Sequence, residues 1–409
     1  MNKYFDITET IFDITEKYPE VIDVFSEHGF ENLNNDMLRK TLGKTITLEK
    51  ALNMKKINVE LFERKIVDFI DENKSKEIWG GADCSSSKAG DIKIKGILPC
   101  PVRMPIIELF EKRITEIEKE YDITADYKLQ SASMGIDWMK AEILEAETEE
   151  EISDIYLSAG FDLFFDREFM GKFKKLNTFE DISKYDKLNE VFENEQISLR
   201  DPLGQYSIIG VVPAIFTVNK EILGNRKFPE SWKDLLSEDF RESIALPMKD
   251  LDLFNAILLH IYKEYGEEGI RNLGQNLFGS MHPSRMVKTG GKGNQNVPAV
   301  TVMPYFFSSM IPKEGNIAVV WPKDGAIVSP IFLLTKSSKK AELEVFAELF
   351  FGEEFGNILS GGGKFPVTNP KVDNDLGKDK KFMWIGWEYI NHEDIGNLIK
   401  KTEKIFLGN

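Results

Sequence analysis

Between Ile7 and Glu72 apolar and charged positions alternate at helical spacing. Ile11, Ile14, Tyr18, Val21, Ile22 and Phe25 fall on one face, which predicts an amphipathic helix ended by Gly29. Further helical runs are predicted over Asn34 to Leu42, Leu48 to Met54 and Val59 to Ile70. Thr47 stands at the N-cap of the third, with Lys50 where a capping box would place Glu. The pattern then dissolves into Lys, Ser, Gly and Glu, including Gly80-Gly81 and Ser85 to Ser87, which reads as a linker with Cys84 exposed inside it.

Beyond Ile92 the period alternates. Ile94 to Leu98 predicts a buried strand, Pro105 to Tyr121 a helix, Ala125 to Ser131 a strand, and a helix follows Gly135; Phe161 to Phe165 is a further short apolar run. Such alternation argues for a parallel sheet with helices on its faces. Tyr206 to Asn219 and Ile317 to Thr335 are long extended runs, each interrupted by Pro, and suggest a chain that crosses between two lobes and returns. The expected organisation is a helical domain at 1–73, a linker at 74–93, one lobe from 94–208 and 326–409, and a second lobe from 209–325.

Composition narrows the partners. The 52 basic and 68 acidic residues give a net charge of −16, a field that repels phosphate backbones, so no nucleic acid is expected. With 409 residues, 42% of them apolar, the chain can bury several cores. Two cysteines, Cys84 and Cys100, make no disulfide framework. Met1 to Glu16 carries acidic residues where a signal peptide would be apolar, and Ser207 to Val218 is too short to span a bilayer; a cytoplasmic location is the expectation.

Lys227 to Pro247, KFPESWKDLLSEDFRESIALP, resembles the start of the second lobe of type 2 periplasmic solute-binding proteins, in the branch of iron and phospho-compound binders. Ala299 to Met303 with Pro304-Tyr305, Val319 to Gly325, and Lys364-Phe365-Pro366-Val367 with Asn369-Pro370 resemble later parts of the same family. The N-terminal unit, through Tyr18-Pro19-Glu20, Glu27-His28-Gly29-Phe30 and Thr47 to Ala51, resembles domain of unknown function 1858, without the Cys pair that many relatives carry after His-Gly. The resemblance implies an α/β, two-lobed type 2 periplasmic-binding-protein fold preceded by a small all-α domain. It also implies a cleft that closes on a ligand by hinge bending.

In such a fold, ligand groups come from strand C-termini and the helix starts that follow. The candidates are Cys100 and Arg103 after the first strand, Arg103 suited to an anion. Ser131, Ser133 and Met134 follow the second; Lys249 and Asp250 follow strand Ser243 to Leu246; Tyr305 follows Ala299 to Val302. Asp324 and Gly325 lie on the return crossing near the hinge. Ser131, Ser133, the acidic residues and Tyr305 could equally cap helices or pack.

His28, His260, His282 and His392 show no metal spacing, and Gly290-Gly291-Lys292-Gly293 lacks the P-loop spacing. Cys100 is the one plausible nucleophile and no base is identified for it, so neither catalysis nor a cofactor or metal is expected. The expected job is the solute-binding part of an ABC-type uptake system, taking a small polar or anionic solute and meeting a permease. The alternative is a cytoplasmic sensor or adaptor in which residues 1–73 meet a partner protein.

Overall fold

The computed structural model describes residues 4–19, 21–27, 30, 33, 36–55, 59, 62–63, 66–67, 70, 84–86, 89–132, 135–248, 251–280, 297–312, 314–361, 364–377 and 379–408. Two units emerge, Met1–Gly81 and Ala82–Asn409.

In the first unit Pro19 overrides the apolar stripe. A residue before proline is pushed out of the helical region, and Tyr18 sits at φ −138°, ψ 76°, so the single expected helix becomes two, Ile11–Lys17 and Val21–Glu27. Gly29 lies outside the described residues. Helices Asp36–Leu42 and Leu48–Met54 follow, the latter capped by the Thr47 hydroxyl, which accepts from the Lys50 N–H. Ile11, Ile14, Val21, Phe25, Leu48 and Leu52 bury their side chains together with Phe62, Ile66 and Ile70, whose spacing continues the helical period.

The second unit starts earlier than composition suggests. Cys84–Ser85 forms a short strand, β1, pairing with Leu129 and Lys128, so Cys84 is a buried sheet residue and not an exposed linker thiol. Strands β2 (Ile92–Leu98), β3 (Ala125–Ser131) and β4 (Ile155–Ala159) are mutually parallel through β2. The apolar run Phe161–Phe165 is a helix. Next come the long strand β5 (Ser207–Asn219), then β6 (Ile244–Leu246), β7 (Leu277–Ser280) and β8 (Val300–Pro304), with β6 parallel to both β7 and β8. Strands β9 (Ile317–Val320) and β10 (Ala326–Thr335) run antiparallel along β5, and β11 (Phe382–Met383) lies parallel to the start of β10.

β9 and β10 are successive parts of one long strand. Val320 faces Phe216 and Ile327 faces Ala214, so the expected extended run 317–335 is present with a break at 321–325. This ribbon makes two half-sheets out of a continuous hydrogen-bonded ladder. On one side of the waist β4 joins β10, giving the order β3-β2-β4-β10-β5; on the other β8 joins β5, giving β7-β6-β8-β5-β9. Each half therefore contains one strand that belongs to the other.

The prolines inside the ribbon mark the waist. Proline cannot donate to a ladder. Pro213 stands one residue before β8 joins at Ala214, and Pro330 one residue before β4 joins at Ile331, so their missing N–H groups fall where the third strand has not yet begun.

The Ser231-Trp232 motif fills the break between β9 and β10. Trp232 is fully buried, meets Phe216 edge-on at 4.7 Å, and donates from its indole N–H to the Gly325 carbonyl at 3.0 Å. Gly325 holds φ +116°, and a Cβ there would lie 2.9 Å from the Phe382 backbone, so only glycine fits. After β10, helices Lys340–Phe351 and Glu353–Ser360 pack on helix Arg103–Tyr121, with Phe110 and Phe350 in ring contact at 5.9 Å. The last helix, Ile395–Phe406, lies along Leu251–Gln275, itself kinked at Gly266, with Lys401 donating to the Tyr262 hydroxyl.

Two stability outcomes are expected. Trp232→Ala removes the plug and one buried hydrogen bond and should cost about 3–5 kcal/mol in denaturant unfolding. His260, on the buried face of helix Leu251–Gln275, is held near a pKa of about 4 by burial, which disfavours the imidazolium. Its folded pKa lies below the unfolded value, so this contribution is complete above about pH 6.5 and is lost as pH falls toward 4, amounting to about 3 kcal/mol at the acid end. His260→Gln should flatten that stretch of the stability–pH curve.

Candidate functional site

Both sets of strand tips meet at the waist. Ala159, the last residue of β4, is opposite Ile331, which pairs with Gly210 of β5; Pro304, the last residue of β8, is opposite Ala214. Gly210 and Ala214 are four residues apart, or ~13 Å along an extended strand. The C-terminal ends of the parallel strands in the two halves therefore point toward each other.

On the first half, β2 leads through Pro99 into a 3-10 turn, Cys100–Val102, and then into helix Arg103–Tyr121, whose N-terminus receives no side-chain cap. Cys100 is half-buried, its sulfur 3.1 Å from the hydroxyl of Ser131 at the tip of β3. Arg103 is only 2% exposed. Its Nε and Nη1 have no acceptor, and Nη2 reaches only the Met104 sulfur at 3.9 Å. A guanidinium has five strong donors and does not give up its charge, so an unpaired one away from water is costly. The uncapped helix start adds partial positive charge in the same place. Cys100 and Ser131 are thus in contact, and Arg103 starts the helix that follows the Cys100 turn.

On the second half, Tyr305 begins a 3-10 turn after β8, packs against Ile215, Met303 and Ala326, and meets Trp321 edge-on at 5.1 Å. Burial raises its phenol pKa, and the nearby Asp375 charge adds to the shift. Asp324 accepts from the Trp232 backbone N–H at 2.9 Å, and Gly325 accepts from its indole, so both are engaged in fixing the break in the ribbon. Ser133, Met134, Lys249, Asp250 and His282 lie outside the described residues. His392 is exposed, its Nδ1 2.8 Å from the Glu388 carbonyl. Among the described residues no group of His, Cys, Asp and Glu has metal-site geometry.

Sequence reasoning missed two contacts across the waist. Gly160, just after β4, has φ +125°, and a Cβ there would lie 2.5 Å from an Asp252 carboxylate oxygen at the start of helix Leu251–Gln275. Phe306, after β8, stacks on Phe365 at 6.0 Å and 14°, while Pro366 accepts from the Val211 N–H of β5. The glycine after an apolar strand was a usable signal for the first; nothing local in the sequence marks the second.

Two half-sheets sharing crossing strands, with an unpaired buried cation at the facing strand tips, define the class: a two-lobed α/β binding protein of the periplasmic type. The chain belongs to the bacterial extracellular solute-binding protein family, whose model matches residues 150–393, and residues 5–62 match the model of domain of unknown function 1858. Among solved structures it is similar to the periplasmic binding protein P5PA, at 15% identity over 77% of this chain and 99% of that one, with TM-score 0.52. A ferric binding protein from Campylobacter jejuni gives 16% identity over 77% and 98%, TM-score 0.52. The periplasmic binding protein AfuA from Actinobacillus pleuropneumoniae, with fructose-6-phosphate bound, gives 14% over 76% and 96%, TM-score 0.50. At these identities the likeness shows the fold alone. No curated protein sequence matches the chain. No described helix is long and apolar enough to cross a membrane.

If Arg103 is a ligand group left unpaired in the free protein, removing it should help the free protein. Arg103→Met should raise stability without ligand by about 1–3 kcal/mol in denaturant unfolding; a loss of stability would show that the guanidinium is structural.

Proposed function

We propose that the chain binds a small anionic solute between two lobes, formed by residues 94–208 with 326–409 and by 209–325, as the solute-binding component of an ABC-type uptake system. The observation that carries this reading is Arg103, buried and without an oxygen partner at an uncapped helix start. An anion there would satisfy donors that the protein leaves open. Membership of the solute-binding family supports the same job, and the fructose-6-phosphate in the AfuA structure is an anionic solute. Tyr305 is the candidate for a phenol and ring from the second half, and Lys249, Asp250, Ser133 and Met134 remain candidates on the sequence alone. Release to a membrane permease follows from hinge opening about the ribbon.

A second reading, a ligand sensor signalling through the N-terminal unit, is favoured by the separate core of residues 1–81. It requires a partner protein that captures the full chain and not residues 82–409.

Calorimetric titration with phosphate, phosphate esters, sulfate and small organic acids tests the main reading. At least one should bind with a rise in the melting midpoint, and Arg103→Met should weaken it at least about tenfold. Silence across the panel, or unchanged affinity in the variant, would remove Arg103 as the ligand group.

A further inference from the structure

The Arg103 guanidinium does reach one atom. Its Nη2 donates to the Met104 sulfur at 3.9 Å, while Nε and Nη1 have no acceptor among the described residues. A thioether is a weak acceptor, so a cation that is only 2% exposed is left with one poor bond. Met104 is 49% exposed, in the first turn of helix Arg103–Tyr121. The pair therefore joins an under-satisfied buried donor to a residue that solvent reaches. Oxidation turns a thioether into a sulfoxide, a polar group whose oxygen is a much stronger acceptor than the sulfur it replaces.

We propose that Met104 is an oxidative modification site whose substrate is a hydroperoxide, and that its sulfoxide oxygen takes the Arg103 Nη2 donor and so regulates the anion site. The Met104 sulfur attacks the terminal peroxide oxygen. An S–O bond forms and the O–O bond breaks; the thioether gives up two electrons and becomes a sulfoxide. The proton on the attacked oxygen passes to the departing one, which leaves as water or an alcohol. Because Nη2 is already directed at the sulfur, rotation about the bonds of the unbranched Met104 side chain is enough to bring the new oxygen to it. The sulfoxide is neutral and satisfies the guanidinium less fully than an anion would, but it is tethered one residue away and competes at every solute concentration. This rests on Arg103 as the anion site of the proposed function, because the modified side chain occupies a donor that an anionic solute would use.

Hydrogen peroxide treatment of the full chain tests it, read by peptide mass mapping, melting midpoint and titration with inorganic phosphate. One oxygen atom should be added at Met104. The midpoint of the solute-free chain should rise by about 2 °C, and any phosphate affinity of the untreated chain should fall about tenfold on oxidation. Met54 and Met310, 77% and 47% exposed, are oxidised by the same treatment, so the reference is Met104→Leu, in which neither midpoint nor affinity should respond. Arg103→Leu, which adds no thioether, should still gain the oxygen at Met104 but show no rise in midpoint. Met104→Gln, which offers an amide oxygen without oxidant, should reproduce the higher midpoint. A Met104 that stays unmodified while Met54 is oxidised, a midpoint that moves equally in wild type, Met104→Leu and Arg103→Leu, or a phosphate affinity unchanged by oxidation would overturn the proposal. An untreated chain that binds no anion, with the midpoint pattern as expected, would remove the solute reading and leave the sulfoxide bond to Arg103 in place, since neither the mass nor the melting readout uses a solute.

Discussion

The antiparallel pairing of β5 with β9 and β10 is the constraint on which the rest of the second unit depends. Each half-sheet borrows a strand from the other, so neither can close its ladder without the ribbon. The ribbon also sets where function can occur. Because β4 joins β10 and β8 joins β5 from opposite ends, the strand tips of both halves are aimed at the stretch Gly210–Ala214. The Trp232 plug and Gly325 hold the ribbon's one break in a fixed shape.

Against that rigid frame the Arg103 site is a local conflict. Buried polar groups are ordinarily paired, as the buried charges Lys336 and Asp154 are: both nearly inaccessible, they bond each other at 3.2 Å, with the Ile152 carbonyl taking a further bond from the lysine. Arg103 receives no such partner. Other buried polar atoms, Asn255 Oδ1 and His260 Nε2 among them, also lack a partner, but Arg103 is a cation at a helix start, and breaks of this local rule are where function concentrates.

Much of the fold was legible because the signals were local. The two extended runs, the helix after Pro105, the strand Ala125–Ser131 and the Thr47 cap all follow from periodicity and side-chain chemistry within a few residues. The failures have identifiable causes. Pro19 broke a helix whose apolar stripe runs straight through it, and polar residues around Cys84 concealed a two-residue strand that exists only because β3 offers an edge. Of the strand-tip candidates, Cys100 and Ser131 are in contact and Arg103 is buried. The Gly160–Asp252 and Phe306–Phe365 contacts join residues far apart in the chain, and no spacing encodes them.

The sequence by itself determined the helical first unit, the alternating α/β character after Ile92, the two Pro-interrupted crossing strands and the residue types at their tips, since these are matters of period and local sterics. Tertiary structure alone decided that Arg103 is buried yet unpaired, that Cys100 sits against Ser131, and that Asp324 and Gly325 serve the Trp232 plug. Burial and partnership are properties of what the rest of the chain brings to a residue, and a cation's need for an anion becomes visible only when every neighbour has been placed.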